Sequence, residues 1–256
     1  MLFRSIRHAA SHCLGEIFAA AGDSAIGLHP LACTTLLKLL KAAQNNAGLR
    51  ASTFKALAKI ITCVGRSADE GIARDVWKQS RNYASADKGH VVQIAACKCL
   101  ESLLLNTAYF DYSSDYESLK STIFKTIDSS TPLVRQAAAS CLASSLGKSY
   151  VSETARDSEV PQLKKLKRSN TKRQTSTLAE DDDEVPRPGS PAPKKSQILS
   201  FTLLDLLRQV SAHYVRSSTS NRTRAGLAVC YGKIARSLPT KLRSEEHTSE
   251  LQSPVL

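Results

Sequence analysis

Residues 92–103 read VQIAACKCLESL, and the same kind of segment recurs as IRHAASHCLGEI from Ile6, LRASTFKALAKI from Leu49 and VRQAAASCLASS from Val134. Successive starts lie 43, 43 and 42 residues apart. A weaker copy, TRAGLAVCYGKI, begins at Thr223, 89 residues after Val134 and close to two periods once a linker is allowed for. Each copy carries apolar or small residues at relative positions 1, 4, 5, 8, 9 and usually 12, which a 3.6-residue period gathers onto one helical stripe. In the first copy these are Ile6, Ala9, Ala10, Cys13, Leu14 and Ile17. The large anchors of the others are Leu49 and Leu57, Val92 and Leu100, and Val134 and Leu142. Self-similarity at a fixed period is the mark of a repeat array, whose units bury their apolar faces only against neighbours.

The intervals between copies predict partner helices at about 24–43, 69–82, 114–127 and 197–214. Asp23 and Ser24 are start signals for the first, and Ser114 with Glu117 three residues on forms a capping box for the third. Gly22, Gly65 and Gly147 fall near expected helix ends, and Pro132 in the turn Asp128–Pro132 suits a first helical turn.

Two amphipathic helices per period of about 40–47 residues make up the HEAT/armadillo pattern. The motif apolar-Arg-x-Ala-Ala after a proline-containing turn resembles the second helix of a HEAT repeat. Arg7, Arg50, Arg135 and Arg224 fill its arginine position, and Gln93 departs from it. The resemblance implies that this arginine belongs to a ladder of polar contacts along the stack; the alternative is a solvated residue at a helix start. The expected fold is all-α, a superhelical α-solenoid of antiparallel helix pairs with a disordered insert. Repeats are expected over 1–150 and a further helix pair over 197–242. Because the chain starts inside a second helix, the array is expected to extend further at both ends.

Residues 151–196 read differently. They hold KKLKR (Lys164–Arg168), TKR (Thr171–Arg173), EDDDE (Glu180–Glu184) and PRPGSPAP (Pro186–Pro193). Blocks of like charge and closely spaced prolines cannot bury enough surface to offset the entropy of ordering, so a disordered insert is expected. The basic run is read as a solvated loop rather than a nucleic-acid patch, because no aromatic residues accompany it for base stacking. Ser190, ahead of Pro191, is a candidate phosphosite. Residues 243–253, RSEEHTSELQS, resemble the conceptual translation of a sequencing-adapter oligonucleotide, so 243–256 are set aside from the fold.

The chain is 42% hydrophobic but only 5% aromatic, so its core must be built from Leu, Ile, Val, Ala and Cys. No apolar run approaches the ~18 residues of a membrane-spanning helix, and a signal peptide is not evident. A soluble chain, cytoplasmic or nuclear, is expected, with the cytoplasm favoured. Its seven cysteines are an odd number without Cys-x-x-Cys spacing, and most fall on the apolar stripes, where a reduced thiol packs as a small hydrophobe. Cys97 and Cys99 point to different sides of a helix, so no metal site is expected. His8, His12, His29, His90 and His213 stand singly, without a nucleophile motif or a phosphate loop. The expectation is a non-enzymatic chain without cofactor. The net charge of +12 favours acidic partners, whether acidic protein motifs, phosphoinositide-bearing membranes or nucleic acid, and charge alone does not choose among them.

Three longer stretches, Leu36–Ile61, Asp75–Leu104 and Ile123–Ala143, resemble the HEAT repeat-containing protein 5 family, including its fungal counterparts. The resemblance implies a fragment of a large scaffold that accompanies the AP-1 clathrin adaptor. Its implied partners are the adaptor and its accessory subunits, with peripheral membrane association at the trans-Golgi network and endosomes through them. A nuclear-transport receptor or the HEAT array of a large kinase or chromatin complex are the alternative readings of the same repeats.

Overall fold

The computed structural model describes residues 2–43, 45–111, 115–148 and 203–237. Among these every regular element is helical: α1 (Leu2–Ala21), α2 (His29–Ala42), α3 (Ala47–Val64), α4 (Glu70–Ala86), α5 (His90–Asn106), α6 (Asp115–Ile127), α7 (Pro132–Lys148), α8 (Leu203–Val215) and α9 (Asn221–Ser237). The odd-numbered helices form one layer, α1 packing on α3, α3 on α5, α5 on α7 and α7 on α9. The even-numbered helices form a second: α2 lies on α3, α4 on α5, α6 on α7, and α4 contacts both α2 and α6. The anticipated insert (151–196), Ser114, Ser190 and the 243–256 tail lie outside the described residues.

Each boundary has a local cause. Asn46 caps α3 by accepting the Leu49 amide at 3.0 Å, and Asp69 caps α4 by accepting that of Ile72 at 2.9 Å. Gly22 and Gly65, after α1 and α3, sit at φ +53° and +59°, a region that residues with a Cβ rarely enter. The α7 helix begins at Pro132, as expected. The continuous helix expected over 24–43 is instead divided. Residues Gly22–Leu28 form 3₁₀ turns and α2 starts at His29, with Pro30 in its first turn. A proline is tolerated there but would clash with the preceding turn inside a longer helix. In the last pair, α8 is described from Leu203.

The core lies between the layers. Leu49, Leu57, Val92, Leu100, Val134 and Leu142 are all buried. From the second layer, Val76 and Trp77 of α4 and Ile123 and Ile127 of α6 reach in. Trp77 meets Phe110 edge-on, ring centroids 5.3 Å apart, and Phe54 meets Tyr83 at 5.4 Å. Helices of the odd layer approach closely where their sequence is small: a Cβ added to Gly15 would lie 2.9 Å from the Ala56 Cα.

The first copy departs from expectation. Ile6 and Ile17 are each 54% exposed, Ala9, Ala10 and Cys13 are exposed, and Leu14 is half-buried. In α3, α5 and α7 the equivalent residues are covered by α2, α4 and α6 respectively. No described second-layer helix performs that service for α1, which buries Ser11, Gly15 and Phe18 on its α3 side instead. Cys13, read as a packing residue, is therefore at the surface.

Candidate functional site

Of the four arginines at the motif position, Arg50 joins two helices of different layers. Its Nη2 lies 2.9 Å from Asp87 Oδ2, its Nη1 donates to the Ala43 carbonyl at 3.3 Å, and its guanidinium sits 5.8 Å above the Tyr83 ring. Asp87 ends α4 and also accepts the Gly89 amide at 2.6 Å. Arg135 turns back onto its own approach turn, donating to the Ser129 and Ser130 carbonyls at 2.8 and 2.9 Å, and Arg224 likewise reaches the Arg216 carbonyl at 3.2 Å. Arg7 is exposed. The shared position thus has one cross-layer ion pair and two turn-fastening arginines. Asp87 was not singled out in the sequence, since 37 residues separate it from Arg50.

A second set of polar contacts links consecutive helices of the odd layer. Ser11 and Ser52 hydroxyls lie 2.6 Å apart, Ser102 donates to the Ala58 carbonyl at 2.9 Å, Ser144 to Glu101 at 2.7 Å, and Lys148 to the Leu104 carbonyl at 2.8 Å. Partners are 41 to 44 residues apart. Each bond therefore joins near-equivalent positions of neighbouring copies.

The solvent-facing side of this layer carries a shallow groove of about 540 Å³ between α1, α3 and α5. Ala19, Ala58, Cys63 and the 54% exposed Leu105 contribute apolar surface, with Lys59 and Lys98 beside them. Lys59 is paired with Glu16, which also lies 3.4 Å from His12 Nε2. Glu101, also at the groove, accepts from Ser140 and Ser144 of α7.

A larger hollow, about 950 Å³, opens between α6 and the α8–α9 turn. His213 stacks on Phe124 there at 4.2 Å, and burial, aided by Arg216, lowers its pKa. The walls mix Lys120 and Lys125 with Glu117 and Asp128, and the Asp128 carboxylate is taken up by the Ser220 and Thr223 hydroxyls. Such walls attract neither sign of charge strongly.

The cysteines face the opposite way from reactive thiols. Burial pushes Cys33, Cys97, Cys99 and Cys230 up to about 12, and Cys141 is raised as well. Among the described residues no three His, Cys, Asp or Glu converge as metal ligands, and no helix is long and apolar enough to cross a membrane. No family model matches the chain, and no solved structure matches it.

Proposed function

We propose that this chain is a segment of a HEAT-type α-solenoid that serves as a non-enzymatic scaffold for protein binding. The observation that carries this reading is the register of the odd layer, where hydrogen bonds between successive helices recur at 39 to 44 residues. A stack bound together one period at a time presents a long surface rather than an enclosed pocket. Side chains spread along such a surface recognise partners by contact area and charge.

The resemblance of Leu36–Ile61, Asp75–Leu104 and Ile123–Ala143 to the HEAT repeat-containing protein 5 family supports a role in AP-1 and clathrin-dependent transport between trans-Golgi network and endosomes. The expected partners are the adaptor and its accessory subunits, which would hold the scaffold at the membrane. Co-precipitation from cells expressing the full-length tagged protein should recover adaptor subunits, with punctate fluorescence at Golgi and endosomes. Recovery of no adaptor or clathrin component, with a nuclear or nuclear-rim signal, would overturn the trafficking role.

A further inference from the structure

We infer that the groove across α1, α3 and α5 binds an amphipathic protein segment with carboxylates along one edge and aliphatic side chains along the other. The inference rests on the scaffold reading above and adds the place and chemistry of the contact. Its basis is two parallel rows. His12, Lys55 and Lys98 stand at position 7 of successive copies, 43 residues apart, and all three are exposed; Lys98 lines the groove, and Lys55 stands one helical turn before Lys59, which also lines it. Ala19, Thr62 and Leu105 form the second row at the same spacing, two helical turns further along each helix.

Seven residues at 1.5 Å each separate the rows by about 10 Å. That is about the width of a helix with its side chains, or of a peptide with residues projecting to both sides. Packed helices lie roughly 8–10 Å apart, so Lys55 and Lys98 offer cationic heads at an interval a partner can match with acidic residues one helical turn or more apart. Neither lysine is paired with a carboxylate among the described residues.

The local carboxylates offset only part of this charge. Glu16 is paired with Lys59 and His12, while Glu101, which keeps its negative charge as it accepts from Ser140 and Ser144, is drawn toward α7 and away from Lys55 on α3. Leu105 is the one large aliphatic residue in its row, and beside Ala58 and Cys63 it provides an anchor a purely electrostatic surface would lack. An acidic segment without apolar residues would leave Leu105 uncovered. An apolar one would leave the lysine row unmatched.

The probe is a fluorescein-labelled peptide of Glu, Leu and Ala, about 16 residues long so that it can hold a helix, patterned with glutamates on one face and leucines on the adjacent one. Anisotropy with the purified 256-residue chain should show saturable binding, at least about tenfold tighter than for the same peptide with Lys in place of Glu. Lys55→Glu with Lys98→Glu should weaken it by about tenfold or more, and Leu105→Asp by a similar factor. Lys38→Glu with Lys41→Glu, on exposed positions of α2 in the other layer, removes the same net charge and should leave binding unchanged. Circular dichroism confirms that each variant remains folded. No saturable binding, or equal loss in the α2 variant, overturns the inference. Binding here with no adaptor recovered from cells would leave the surface standing and remove only the trafficking assignment.

Discussion

Arg50 and Asp87 form an ion pair at the junction of α3 and α4, with side chains only 11% and 5% exposed. Water cannot replace either partner there, so removing one strands a charge in a poorly hydrated place. Asp87→Ala is expected to lower unfolding free energy by about 3 kcal/mol, read from urea denaturation. Arg50→Met with Asp87→Ala should cost less than the sum of the single changes. A strictly additive result would show that the two side chains do not act as a pair.

Gly15 and Gly232 occupy the same position of their copies and predict opposite outcomes. A Cβ at Gly15 would press on the Ala56 backbone at 2.9 Å and on its Cβ at 3.2 Å, whereas one at Gly232 meets nothing within 4 Å. Gly15→Ala should therefore destabilise by about 1–3 kcal/mol despite its better helix propensity. Gly232→Ala should stabilise by about 0.5–1 kcal/mol. Thermal melts of the two variants should move in opposite directions.

Why one glycine is crowded and the other open is also why only part of the molecule could be read in advance. The stripes of α3, α5 and α7 were legible because burial there follows from period alone. The same pattern in α1 predicts the same burial, yet Ile6 and Ile17 are exposed, because burial of a stripe also needs a second-layer helix packed on it and among the described residues α1 has none. Pro30 carried the signal that α2 begins late, and Asn46 and Asp69 are ordinary capping types whose roles became plain only with the helix starts. The Arg50 partner was not legible, since nothing local ties Asp87 to it. The basic row that leads to the groove is present in the repeat alignment, where position 7 reads His12, Lys55, Lys98, but only the exposed Leu105, two helical turns beyond Lys98, turns charge into a surface with chemistry.

The buried thiols predict alkaline sensitivity. Cys33, Cys97, Cys99 and Cys230 keep their protons up to about 12 in the fold, whereas free thiols ionise near 8.5. Between those values the unfolded chain releases protons that the folded chain retains, so stability should be fully present below about pH 8.5 and fall as pH rises toward 12. Replacing Cys99 by Ala should flatten that slope in denaturation curves taken across the range. In native protein a water-soluble thiol reagent should modify exposed Cys13 first, with the five buried thiols reacting only on unfolding.

At the other end of the pH scale, Asp128 ties the end of α6 to the start of α9. Hydrogen bonds from Ser220 and then Thr223 hold its carboxyl below the usual carboxylate range. That contribution is present above the free carboxyl value of about 3.9 and is lost as pH falls through the lowered one. Asp128→Ala should speed amide exchange in the first turn of α9 at neutral pH while leaving the middle of α5 protected. Unchanged exchange in α9 would show that the contact does not hold that helix end.

Between Lys148 and Leu203 the chain passes through more than fifty residues, yet α9 rests on α7 as α7 rests on α5, and Lys233 reaches Ser140 at 3.0 Å. Continuity of the stack at this step is therefore a matter of fitted surfaces. The α7–α9 contact has the character of an interface between two molecules, and a chain cut within the intervening stretch should still be able to reassemble by fragment complementation.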